Sequence, residues 1–268
     1  MAETKTLIFM SSNGNVEGVK KALQRGGDPS KFFGTQTALH VAASGGHEEV
    51  VAVLLEHPGV DPNCYDELGW SALHIAVSLG HYRVGALLLQ QPGIEVNIPD
   101  NSGSPPLHFG AASRRTCPEL VELLLKQPGI NINARNRGGL TALHWASHHD
   151  QEEILALLLG QPGIDEKATT NRGLSVLHAA ASGFGGPNIL RRLMTSPSTD
   201  PNVRDNLGKT PIMLLLHPAL HNNSAQQVKR LQAMVEFNRV DLDLKTPEGA
   251  SLEDLARWEQ ITRVLNMN

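Results

Sequence analysis

Twelve histidines and two cysteines are the side chains of this 268-residue chain with the most chemistry to offer. A neutral imidazole ligates zinc, and its ordinary pKa near 6.5 lets it move protons at neutral pH. Five of the twelve, His40, His74, His108, His144 and His178, recur at steps of 34, 34, 36 and 34 residues. Side chains spaced so evenly occupy one slot of successive layers and cannot converge on one ion. His148-His149-Asp150 stands apart from that series, yet a zinc site needs two more ligands at fixed spacing and none is evident. The pair therefore reads as a polar contact surface. Cys64 and Cys117 lie 53 residues apart and match no metal or redox spacing; they read as small apolar groups in a reducing compartment. No serine sits in a G-x-S-x-G turn and no G-x-x-x-x-G-K-S/T loop exists. Gly183-Phe184-Gly185-Gly186 lacks a preceding strand and reads as a helix-ending turn. Catalysis, a cofactor, a metal and a small-molecule substrate are not expected, because thin stacked layers leave no deep pocket.

The histidines belong to a repeated phrase. Copies begin at Thr37 (T-A-L-H), Ser71 (S-A-L-H), Pro105 (P-P-L-H), Thr141 (T-A-L-H), Ser175 (S-V-L-H) and Thr210 (T-P-I-M), with a decayed one at Ser251. The steps between them are 34, 34, 36, 34, 35 and 41 residues. A fixed period in this range means a stacked array and not one globular core. With T-A-L-H-x-A, a Gly two positions before most copies and a second helix ending in L-L-L, the chain resembles the ankyrin repeat family. The resemblance runs from about Leu7 to about Leu265. It implies an all-α fold, a solenoid of about seven helix-turn-helix units with β-hairpin or turn tips. We expect a single domain over 1–268, with an N-terminal cap over 4–33 and repeats over 34–67, 68–101, 102–137, 138–171, 172–206 and 207–247. A C-terminal cap over 248–268 closes it, its Leu252, Leu255, Ile261, Val264 and Leu265 at helical spacing. Aromatic content of only 4% suits thin helical layers built from Leu, Ala, Val and Ile.

Each internal unit follows one local script. Asp66 to Gly69, Asp100 to Gly103, Asn136 to Gly139 and Asp205 to Gly208 form turns, because Asp or Asn bonds the backbone two residues on and Gly accepts a positive φ. The Thr or Ser of the phrase is an N-cap, and Pro211 takes the first helical position, where proline is tolerated. Small residues such as Ala42-Ala43 and Ala179-Ala180-Ala181 let layers approach. Gly46-His47 and Gly80-His81 end the first helix. After the second helix comes Pro-Gly, at His57-Pro58-Gly59, Gln91-Pro92-Gly93, Gln127-Pro128-Gly129 and Gln161-Pro162-Gly163, each followed by Val or Ile that should plug the gap below. Lys5, Lys20, Lys21 and Arg25 give the first unit a polar outer face. Departures mark places for function or for a cap: an insertion at Ser113-Arg114-Arg115-Thr116, Gly183-Phe184-Gly185-Gly186-Pro187 where other units have Gly-His, and a unit at 207–247 that loses its His and carries a polar loop from His217 to Ala225, expected to be the most mobile.

The net charge of −4 does not call for nucleic acid, and no apolar run approaches the ~18 residues that span a bilayer. Cytoplasm, with the nucleus as a second location, is expected. In the family, the imidazole of the phrase ties neighbouring backbones, while turn tips and the exposed side of the first helix touch partners. Carried over, the contact residues are Tyr65, Glu67, Leu68 and Trp70, then Asn101 and Ser104. They continue with Arg114, Arg115, Arg135, Arg137, Leu140, His148, His149, Asn171, Arg172, Leu174, Arg204, Asn206 and Lys209. Trp70 is either an aromatic anchor or half-buried against the next tip, and Trp145 is expected in the core. The arginines read as one basic concave flank, suited to an acidic or phosphorylated segment of another protein. Nucleic-acid binding through that flank, or service as the targeting domain of a larger enzyme, are the alternatives. The chain is expected to be monomeric by itself. Finally, Leu89-x5-Glu95-Val96-Asn97 resembles the recognition pattern of the asparaginyl hydroxylase that modifies many ankyrin domains; the other reading is that Asn97, with Asn63, Asn133 and Asn202, braces the turn.

Overall fold

The computed structural model of the chain describes residues 2–115, 117–216, 224–255 and Val264. Among these residues the chain forms fifteen helices and no strand; the expected tips are turns, with single bridges at Phe33–Gln36, Tyr65–Ser71 and Thr169–Ser175. The fold is all-α, in two compact units, Met1–Arg137 and Gly138–Asn268.

In the first unit, α1 (Ala2–Ser12), α3 (Ala38–Gly45), α5 (Ala72–Leu79) and α7 (Pro106–Ala112) form one row. The helices α2 (Val16–Gln24), α4 (Glu48–Leu55), α6 (Tyr82–Leu89) and α8 (Pro118–Leu125) form a second row beside it. The second unit repeats the plan. Its first row is α9 (Ala142–His148), α11 (Val176–Ser182) and α13 (Pro211–Leu215), and its second is α10 (Glu152–Leu159), α12 (Pro187–Thr195) and α14 (Ser224–Val235). A short α15 (Leu252–Leu255) follows. Leucines at equivalent slots fill the space between rows: Leu39, Leu73 and Leu107 against Leu54, Leu88 and Leu124 in the first unit, all at most 1% exposed. Each such side chain contributes roughly 1.5–3 kcal/mol. Val60, Ile94, Ile130 and Ile164, below the helix pairs, are only half-buried.

Local chemistry places the helix ends. Asp66 Oδ1 accepts from the N–H groups of Leu68 and Trp70, both at 2.9 Å, while Gly69 takes φ +79°. Asp100 and Asp205 do the same in their turns. Thr170 fills this role with its hydroxyl, accepting from Arg172 and Leu174, a substitution the D-x-x-G pattern does not reveal. Ser71 and Ser175 accept from the N–H of His74 and His178, as N-caps should. Past the second helices, the Gln91, Gln127 and Gln161 amides each donate back to the carbonyl four residues earlier, closing the end that Pro-Gly terminates. Of the capping residues expected at the C-terminus, Leu252 and Val264 are buried, and Ile261 and Leu265 lie outside the described residues. The polar loop expected to be mobile lies outside them from 217 to 223, as does Thr116 of the insertion.

Gly80 ends α5 with φ +71°, and a Cβ there would sit 2.1 Å from the Arg115 carbonyl. Gly93 has φ +76° and open space. Gly93→Ala is expected to lose about 1–2 kcal/mol from the left-handed backbone alone. Gly80→Ala should lose about 1–3 kcal/mol more, because the Arg114–Arg115 insertion must move. Equal losses in urea unfolding would show that the insertion yields freely.

Candidate functional site

Four of the five repeated histidines, His40, His74, His144 and His178, are structural in their geometry. Nδ1 accepts from the backbone N–H of the N-cap residue in four copies: Thr37 (3.3 Å), Ser71 (3.1 Å), Thr141 (3.3 Å) and Ser175 (3.1 Å). An N–H can only donate, so each imidazole is neutral with its proton on Nε2. Nε2 then donates to a carbonyl of the next repeat: Trp70 (3.0 Å), Ser104 (3.1 Å), Leu174 (3.1 Å) and Lys209 (2.9 Å). Burial pushes His40, His74 and His178 below the ordinary histidine value, His74 to about 4. In the 210 copy Met213 sits in the same slot, and the Thr210 N–H approaches its thioether at 3.5 Å. Among the described residues no group of three His, Cys, Asp or Glu could hold a metal.

A second set of bonds ties the far ends of the first-row helices. His47 Nε2 donates to the Ser12 carbonyl (2.9 Å), His81 Nε2 to Ser44 (3.1 Å) and Ser113 Oγ to Ser78 (2.6 Å). In the second unit, the Phe184 N–H donates to the His148 carbonyl at 2.7 Å. Asp150, which stands where other copies have glycine, adopts φ +59° and accepts from Gly186 N at 2.5 Å. The asparagines brace the turns. Asn97 donates to the Gly129 carbonyl (2.7 Å) and accepts from Asn131 N (2.9 Å), and Asn63 and Asn202 make the equivalent pairs.

The expected contact residues divide into three groups. Tyr65 and Leu68 are exposed, at 62% and 58%, and Arg114, Arg115, Arg135, Arg137 and Arg172 are exposed as well. A second group braces its own chain. Asn101 donates to the Glu67 carbonyl, Asn206 to that of Asn171, and Arg204 to those of Gly208 and Lys245, which commits its guanidinium. Lys209 is half-buried and Ser104 fully buried, so the expectation that Ser104 lies on the surface is corrected: its side chain joins the Asp100 turn, at 2.9 Å from Ser102 Oγ. Trp70 takes the half-buried alternative, its ring edge-on to Phe109 at 4.6 Å and stacked on His74 at 6.4 Å.

The third group converges. Leu140, His148, His149, Arg172 and Leu174 line one cavity of about 410 Å³ between α9 and α11. Trp145 lines it too, half-buried; the expectation that it lies in the core is corrected, because the equivalent slot of the next helix holds only Ala179, too small to cover the indole. The rings form a continuous line: Trp145 to His149 at 6.1 Å, His149 to His148 at 5.0 Å, His148 to Phe184 at 6.1 Å. Phe184 is 65% exposed; the sequence marks its glycine-rich stretch as a departure from the repeat, but nothing in the spacing singles out the ring as a contact. Phe32 and Phe33, at 49% and 51%, form an exposed aromatic pair at the first tip that was passed over too. No described helix is long and apolar enough to cross a membrane.

A family model described as "Ankyrin repeats (3 copies)" matches residues 7–100 and 93–170, more than half of the 268 residues. No curated protein matches the chain.

Proposed function

Since the chain belongs to the ankyrin repeat family, whose repeats are generally protein–protein interaction modules, we propose that it is a non-enzymatic binding module that grips an acidic or phosphorylated segment of a partner protein. The observation that carries this is the cavity between α9 and α11. Its rim holds Arg172, His148 and His149, and no Asp or Glu lines it. A guanidinium offers a planar fork to a carboxylate or phosphate, and a preformed surface loses little entropy on binding. Arg135 and Arg137 of the first unit supply a separate exposed cationic pair. In this reading the protein serves as an adaptor, scaffold or inhibitor in the cytoplasm or nucleus.

The test is selection of peptides from a random displayed library on the folded chain. Enrichment of sequences rich in Asp, Glu or phosphoresidue mimics is expected. Arg172→Glu should lose most of that enrichment, on the order of tenfold or more, and Arg135→Glu with Arg137→Glu a smaller part. Each lost charge-assisted bond is worth roughly 1.5–3 kcal/mol. Enrichment of neutral or basic peptides, or an unchanged pool with every variant, would sink the reading.

A further inference from the structure

We infer that the cavity between α9 and α11 is an anchor pocket for one large apolar side chain whose neighbour in the partner segment is a carboxylate. This refines the binding reading above and rests on it.

Its size comes first. About 410 Å³ lies at the low end of the ~300–1,000 Å³ typical of ligand clefts, and it exceeds what a carboxylate needs. Its chemistry is divided. Leu140, Trp145, Leu174 and Ala179 supply apolar wall, and Arg172 is the one lining residue with a fixed charge. Among the described residues its exposed guanidinium has no hydrogen-bond or ion-pair partner. A purely acidic segment would leave the apolar wall wet, and a purely apolar one would leave the guanidinium unmatched. An apolar residue beside a carboxylate satisfies both.

The wall is also rigid. Trp145, His148 and His149 stand at i, i+3 and i+4 of α9, so their rings share one face. Gly183 comes so close that a Cβ would lie 2.4 Å from His148 Nδ1, and the Phe184 N–H bonds the His148 carbonyl. The ring line is thereby held before any partner arrives. Flat side chains with few rotors lose little entropy on contact, which is why they dominate interface hot spots. A nucleic-acid strand fits the pocket less well. Its affinity comes from several phosphates neutralised at once, and one arginine cannot follow a backbone.

The probe is an end-blocked peptide, Gly-Gly-Phe-Glu-Gly-Gly, titrated into the full chain with backbone amide shifts read by NMR. Shifts should cluster on residues 140–184. Exchanging Phe for Ala, or Glu for Lys, in the peptide should each weaken binding about tenfold, as should Trp145→Ala and Arg172→Glu in the protein. His149→Ala removes one ring at the helix end and serves should Trp145→Ala fail to fold by circular dichroism; about a threefold loss is expected of it. Arg83→Glu, in the first unit, should change nothing. The pocket is overturned if the alanine peptide binds as well as the phenylalanine peptide, if the ring variants bind normally, or if ten-residue oligothymidylate displaces the peptide with a steep salt dependence. If the displayed library still yields acidic sequences that Arg172→Glu loses, while phenylalanine confers no gain, the anchor pocket fails and the acidic-partner reading stands. If no acidic preference appears at all, that reading fails first.

Discussion

Lowering the pH from 7.5 to 5.0 should destabilise the protein by about 2 kcal/mol through His74 alone, with further losses through His40 and His178. Burial is the larger influence on His74, and it outweighs the opposing pull of the Ser104 carbonyl, Asp100 and Asp66. The folded value, about 4, lies below the ordinary 6.5 of the unfolded chain. As pH falls, the unfolded chain therefore takes up the proton first. The stabilisation is complete above about 6.5 and drains away as pH falls towards about 4, where each pKa unit is worth about 1.36 kcal/mol. Geometry gives the same sign. A proton on Nδ1 would face the Ser71 N–H at 3.1 Å, a donor against a donor. Urea midpoints at the two pH values check this, with His74→Leu as comparison. The variant should be less stable at pH 7.5 and show a pH dependence smaller by about 2 kcal/mol. An unchanged pH dependence would mean that the clasp tolerates protonation.

Replacing Arg230 by methionine should cost about 3–5 kcal/mol through the carbonyls it leaves unpaired. This arginine, on α14, is 6% exposed, and its Nη2 donates to the carbonyls of Ala180 and Ala181 (2.9 Å each) and Gly183 (3.2 Å). Those are the carbonyls at the end of α11 that lack partners within the helix. Two effects compete. Removing a buried cation relieves a desolvation penalty, visible in a guanidinium pulled below its ordinary pKa by burial and only partly restored by Asp150. Two buried carbonyls and a half-buried one are left behind, however, and each unsatisfied buried one costs roughly 1–3 kcal/mol, so the loss dominates. Arg230→Lys should fall between, since it keeps the cation but loses the fixed planar geometry of the guanidinium. Chemical denaturation measures the size, and hydrogen exchange should locate the loss in α11 and α14. A methionine variant within about 1 kcal/mol of the parent would show that water serves those carbonyls instead.

Much of the fold was legible because its causes are short-range. The repeat phrase, the Asp66 and Asp100 turns, the Ser71 and Ser175 caps and the Pro-Gly stops each act within four residues of themselves. Spacing along the chain was enough to read them. The structural role of the histidines followed from the same spacing, since one imidazole per layer cannot build a site. Thr170 escaped only because a hydroxyl replaced a carboxylate in the same geometry.

What the spacing could not contain was decided by which layer lies against which. Arg230 meets carbonyls 47 to 50 residues away, and nothing near it in the chain marks it as buried. Trp145 reads as core because it follows His144 in an apolar phrase, yet Ala179, at the equivalent slot of α11, is too small to cover it. Arg204 reads as a free contact from its place in the repeat, yet it donates to the Lys245 carbonyl, 41 residues away. Leu140, His148, His149, Arg172 and Leu174 were legible as candidates one at a time, each from its place in the repeat. Their convergence on a single cavity, and the line of rings running from Trp145 to Phe184, belong to the stacking of α9 on α11. Local sequence sets which face a side chain takes on its own helix, and only the packing of layers sets what that face meets.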